Sequence, residues 1–443
     1  MTLRLRCLVC SGVLNRVIAC GRLLLFVLAG ALLFQAMTVA DEPGVADEPF
    51  RPEAGLFPPL EKAHRYRGEL VFVDHANRRG SIRVQGDGMF FRNDPHPFAM
   101  LPYGVIRYHT AAADLRDIPL GTVLHVYGYL PPDPRTSAVP VLPVDNKLRD
   151  ANHNRGAGIF PAENHVLLLE DEPSHCQRLG LVWKLVDIEI NQLRGAITAR
   201  REPKAGVSGD VADEQLTFDA ATRVWRGRER LTVEDLVAEG TWPASGKQSL
   251  QSQTVTLGIM WKPTPEGVFT RFHISDIWLD DVSLERAAQS QAETHKAFLR
   301  ARWMPAFVGS VEYGEFGRAI VTATLFGGME ESLYADFKAG VSAMMNGVED
   351  TLKHTGGNYG PAHMASRGTI LEVTEAPEEP PLGSSGIQIR FETDLVIEAI
   401  RPGRVVRVCP GSWPQVNLPR EEFIGDGNNP SDRFPSPDIF PRY

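Results

Sequence analysis

His75, His96, His109 and His125 all fall in the first third of the chain, and His125 lies in a stretch of strict alternation. In GTVLHVYGYL (Gly121 to Leu130), a strand sets Leu124, Val126 and Leu130 on one face and Val123, His125, Tyr127 and Tyr129 on the other. In GVIRYHT, Val105, Arg107 and His109 share a face. If these strands pair, Arg107, His109, His125, Tyr127 and Tyr129 form a patch of rings around one cation. Such a patch suits a sugar, a peptide or another protein. The competing expectation is that Tyr127 and Tyr129 pack beneath the Pro-rich segment 131–162. A second candidate is TGGNYGPAHMASRG (Thr355 to Gly368), which carries Tyr359 and His363 and follows His354. It does not match a phosphate-binding loop, and reads either as a binding loop or as a long plain connection.

Other chemistries lack their patterns. After residue 40 there is no His-x-His, His-x3-His or Cys-x2-Cys spacing, so no metal site is expected. EDE (Glu170 to Glu172) and Asp280–Asp281 stand at strand ends before helical segments. Calcium binding or a carboxylate pair for glycoside hydrolysis is one reading; favouring a helix N-terminus is the simpler one. Gly-x-Ser-x-Gly does not occur, and Cys176 and Cys409 have no nucleophile signature around them. No cofactor is expected.

The elements that must position these residues are mostly short strands, as 33 prolines and 40 glycines in 443 residues suggest. Three hairpin-like segments share a kernel of glycine beside arginine and then a strand: RRGSIRV, LRGAITA and FGRAIVTA. DIPLGTVLHVYG is echoed by AIRPGRVVRVCPG (Ala399 to Gly411), and the middle copy is expected in Leu216 to Trp242, without the Pro-x-Gly. ENHVLLLEDEPS and RFHISDIWLDDVS are strands ending in acids, each followed by a serine suited to cap a helix. Leu284 to Met304 is the one strong helix, with Leu284, Ala288, Ala292, His295, Leu299 and Met304 near one face. Ser174 to Val182 is a shorter equivalent.

These repeats predict a mainly β chain of three tandem small Greek-key, OB-like barrels with a connecting helix. The expected divisions are 1–40 leader, 41–62 acidic Pro-rich linker, 63–172, 173–281 and 308–424 barrels, 282–307 helix and 425–443 extended tail. The leader is basic at MTLRLRC, apolar from Leu23 to Phe34 and small at Thr38 and Ala40, the pattern of a secretory signal peptide. An uncleaved N-terminal anchor is the other reading. Loss of four arginines with the leader takes the net charge from −9 to −13, which argues against nucleic acid as a partner. No membrane span is expected once the leader is removed. In an oxidising compartment Cys176 and Cys409 could pair, or both could be buried small apolar residues.

The leader, the ADEP start and the repeat pattern resemble small exported OB-like bacterial domains and, over the whole chain, uncharacterised secreted proteins of planctomycete-type bacteria. That resemblance implies no known function and no site residues. The expectation is a secreted or periplasmic, non-catalytic binding or scaffold protein with a protein or saccharide-like ligand. The alternative is an exported hydrolase or metal-dependent enzyme whose site is assembled from residues distant in sequence.

Overall fold

The computed structural model describes residues 50–53, 55–75, 78–84, 96–129, 165–207, 211–263, 270–347, 365–396, 400–414 and 416. Residues 1–49 and 417–443, which include the expected leader and tail, and His354, Tyr359 and His363 lie outside them. Period-two alternation builds the first sheet from β1 (His64–Asp74), β2 (Arg79–Val84), β3 (His96–Tyr108), β4 (Ala111–Ala112), β5 (Val123–Tyr129) and β6 (His165–Asp171). Five of these strands close into a barrel in the order β1-β2-β3-β6-β5, with β3 and β6 parallel and β4 attached to β3. Leu70, Ile82, Phe98, Leu124, Val126 and Leu169 fill it.

The second sheet follows a short helix, α1 (Glu172–Leu179). Its strands are β7 (Leu181–Asn191), β8 (Arg194–Pro203), β9 (Ala212–Phe218), β10 (Arg223–Arg226), β11 (Glu229–Leu231), β12 (Ser245–Pro263) and β13 (Thr270–Trp278), with α2 (Val233–Ala238) before β12. Strands β7, β8, β9, β13 and β12 repeat the order of the first barrel. Here, however, no ladder closes the sheet, because β9 touches β13 through the single parallel bridge of Thr217 with His273.

The helix α3 (Asp281–Arg302) leads to the third sheet, β14 (Met304–Tyr313), β15 (Ala319–Phe326), β16 (Ser342–Asn346), β17 (Ser366–Glu375), β18 (Ser384–Thr393) and β19 (Val405–Pro410). This barrel is closed and fully antiparallel in the order β14-β15-β18-β17-β16-β19. The expectation of one topology for three units therefore fails at the third. Strands β16, β17 and β18 pair in succession as a meander, which leaves β18 rather than β16 beside β15.

The repeat is nonetheless real at the backbone. Gly121 N–H donates to Leu70 O and Leu70 N–H to Thr122 O; Gly403 N–H donates to Val308 O and Val308 N–H to Arg404 O. Both glycines have positive φ, +91° and +80°, and each meets a bulge in the first strand of its barrel. The middle copy was misplaced in the sequence: the partner of β7 is β12, not a strand within 216–242. The register of β12 shifts between Ser249 and Gln253, with Gln251 and Ser252 in the left-handed region.

Helix starts also repeat. Asp171 accepts from Ser174 N–H, and Asp280 from Ser283 N–H, so the acids cap α1 and α3. The serines expected to cap sit one turn inside.

All three sheets belong to one compact unit, Phe50–Tyr443. Leu101, Tyr103, Tyr129 and Leu167 on the outside of the first barrel form one cluster with Phe307, Phe326 and Val405 of the third. The segment expected as a linker enters this seam. Phe57 stacks edge-on to Tyr103 at 5.0 Å, and Phe50 lies 5.5 Å from Tyr129. Among the described residues no helix is long and apolar enough to cross a membrane.

Candidate functional site

The five predicted patch residues of the first barrel do not form one open face. All seven residues of β5 are buried. Leu124 and Val126 point into the barrel as expected, but the opposite face is covered as well, because it is where the other units dock.

His125 enters a buried charge network around Glu172, which has no accessible surface. Its Nε2 lies 2.7 Å from Glu172 Oε2. The same carboxylate accepts from Arg67 Nη2 at 3.1 Å, Trp183 Nε1 at 3.1 Å, Arg201 Nη1 at 3.2 Å and Cys176 Sγ at 3.4 Å. Arg67 comes from β1, His125 from β5, Trp183 from β7 and Arg201 from β8, so the network pins the first unit to the second. Arg67 also grips Glu214 of β9 with Nη1 and lies 4.5 Å over the ring of Phe272. Burial alone would raise the Glu172 pKa, but Arg67, His125 and Arg201 hold it well below the usual value. Burial lowers His125 to about 4 against the pull of Glu172, so the imidazole is neutral at pH 7 and the two arginines balance the charge. A carboxylate has roughly four lone-pair sites, and five donors saturate it. This cluster carries no spare capacity for a substrate.

Tyr127 is held in the adjoining half. Its OH accepts from Arg178 Nη2 at 2.5 Å, and Arg178 binds Glu170 with Nε at 2.7 Å. His175 links the halves: its ring stacks on His125 at 3.6 Å, and its Nδ1 lies 3.3 Å from Glu170 Oε2. Tyr129 turns the other way, into the seam with the third barrel, and its OH donates to Pro59 O at 2.8 Å. His109 is a wedge between the first two units. Its ring stacks on Tyr108 at 3.9 Å and meets Trp278 edge-on at 5.1 Å, and burial lowers its pKa to about 4. Cys176 and Cys409 are both free and buried, the second of the two readings offered by the sequence.

Of the five, Arg107 is the one that lines a cavity formed by described residues. It lines a cleft of about 490 Å³ with Ala292 of α3 and with Tyr334, Ser384 and Ser385 of the third unit. The wall at Gly327–Gly328 is tightly seated. A Cβ on Gly328 would meet Val105 at 2.6 Å, and one on Gly327 would meet Ser384 O at 2.4 Å. Ser385 Oγ donates to Leu325 O, and Tyr334 OH donates to Phe326 O, so the cleft is preformed. Burial lowers the Arg107 pKa, while Tyr334, Glu170 and Glu331 act in the other direction.

Sequence reasoning found Arg107 but missed every cleft residue supplied by α3 and the third barrel, which lie 180 or more positions away. It noticed EDE without its arginines, because Arg67, Arg201 and Glu214 belong to strands of different units. Among the described residues no group of three or more His, Cys, Asp or Glu is placed to hold a metal ion. No protein-family model, curated protein or solved structure matches the chain.

Proposed function

We propose that the chain is an exported, non-catalytic binding protein in which the first two units share an OB-like strand order, closed as a barrel in the first and open in the second, and the cleft at Arg107 is the ligand site. The observation that carries this reading is the cleft itself. It lies where the first barrel, α3 and the third barrel meet, and ligand sites favour such junctions. The shared strand order of the first two units, with its parallel β3–β6 pair, supports the OB-like assignment. The catalytic alternative has its best candidates in Glu172, His125 and His175, and their saturation and burial argue against it. The leader pattern, the acidic charge and the resemblance to secreted planctomycete-type proteins support export.

Ligand-observed NMR on a mixture of small polar molecules tests the site. Signals attenuated by the native chain should recover with Ala292→Tyr, which fills the cleft. Binding that persists in that variant would place the site elsewhere.

A further inference from the structure

Arg107 is a cation without a counter-ion of its own. Among the described residues its guanidinium has no hydrogen-bond or ion-pair partner, and Glu170 and Glu331 act on it only at longer range. The other arginines of this region behave differently. Arg178 is bound to Glu170, Arg78 donates to Leu101 O, Pro102 O and Gly104 O, and Arg300 reaches Asp336. This half-buried residue lines a preformed cavity, where an incoming anion would meet no competing partner. Its planar fork matches a carboxylate or a phosphate oxygen pair.

The remaining lining chooses between these two anions. Glu330 and Glu331 stand on the same rim. One arginine facing two carboxylates tolerates a single negative charge better than the near double charge of phosphate. Glu331 is an acceptor for hydroxyl or ammonium groups on the ligand, and Glu330, whose Oε2 accepts from Ser332 N–H and Oγ, offers its other oxygen. Ser384 Oγ accepts from Gly386 N–H and has its own proton to give. Ala111, Ala112 and Ala292 supply a small apolar floor. The volume falls within the usual range for small ligands, roughly 300–1,000 Å³.

We propose that the Arg107 cleft binds a small polar monocarboxylate of acidic-sugar type, its carboxylate on Arg107 and its hydroxyl groups on the glutamate and Ser384 rim. This inference rests on the cleft being the ligand site and adds the chemical class of what enters it.

The test is calorimetric titration of the whole chain with glucuronate, glucose, acetate and inorganic phosphate, on the native protein and on Arg107→Met and Ser384→Ala. Glucuronate is expected to bind at least tenfold more tightly than glucose, acetate or phosphate. Arg107→Met is expected to weaken glucuronate at least tenfold, and Ser384→Ala severalfold. Arg107 has no hydrogen-bonded partner to lose, only longer-range attraction to Tyr334, Glu170 and Glu331, so Arg107→Met should melt close to the native temperature, which separates lost binding from lost folding. Glucose binding as well as glucuronate, with loss in Ala292→Tyr, would overturn the carboxylate while leaving the cleft as the site. Tighter binding of phosphate, or unchanged binding in Arg107→Met, would also overturn it. No binding by any of the four probes would overturn the acidic-sugar assignment, and the NMR comparison of the native chain with Ala292→Tyr then decides separately whether the cleft is a site.

Discussion

At the scale of residues, alternation identifies which side chains share a face but not whether that face is open. Leu124 and Tyr127 sit on opposite faces of β5, and both are almost fully buried. Leu124→Ala is expected to cost about 2–5 kcal/mol and Tyr127→Ala as much, whereas Tyr127→Phe should cost about 1 kcal/mol by losing one hydrogen bond. Urea melts read all three. The buried titratable groups predict the response to acid. His125 and His295 are lowered by burial to about 4 and about 3, so the unfolded chain takes up their protons first as pH falls below 6.5. Their contribution is complete above that value and is lost toward pH 4, at about 1.4 kcal/mol per pH unit for each histidine. Asp171 opposes them. Burial raises it to about 7 in the fold, so its contribution is present below 3.8 and lost as pH rises through 7. The urea midpoint should therefore fall between pH 7 and pH 5, and fall more steeply in Asp171→Asn, which keeps a capping side chain. A midpoint that rises with acid would contradict this balance.

At the scale of elements, the sequence was most legible where a local signal fixes the backbone. The approaches Pro119-Leu120-Gly121 and Pro402-Gly403 put both glycines at positive φ against equivalent bulges, and the acids before α1 and α3 became caps. The expected helix from Leu284 to Met304 agrees with Asp281–Arg302 to within a few residues. Strand β12 was missed because SGKQSLQSQT is polar and offers no alternating apolar face, and its pairing with β7 is set by the sheet rather than by its own pattern. The two caps predict a contrast. Asp280→Ala should cost about 1–2 kcal/mol, since Asp280 caps α3 and also accepts from Gly227 N–H at 2.7 Å while only half-buried. Asp171→Ala should cost more, about 2–3 kcal/mol, since Asp171 is buried, so the His109 N–H that donates to it at 2.8 Å is left without water as a substitute partner. Equal losses in thermal melts would mean that the seam at His109 contributes nothing.

At the scale of the whole molecule, what no repeat could reveal is that the units are joined through their charged and aromatic outer faces. The partners are far apart in sequence: Arg67 with Glu214, Phe57 with Phe326, and Gln291 Nε2 with Asp117 Oδ2 at 2.9 Å. Helix α3 ties all of this together, with Phe298 and Leu299 in the core of the third barrel while Gln291 reaches the first unit. The cleft at Arg107 exists only because these seams hold the first and third barrels in register. The direct test is scanning calorimetry of the chain from Asp41 onward. The seams predict one cooperative transition with calorimetric and van't Hoff enthalpies equal, splitting or broadening in Glu172→Gln, where two arginines lose their shared charge. Two or three separable transitions in the native chain, unchanged by Glu172→Gln, would show barrels that fold independently and a cleft that nothing holds in place.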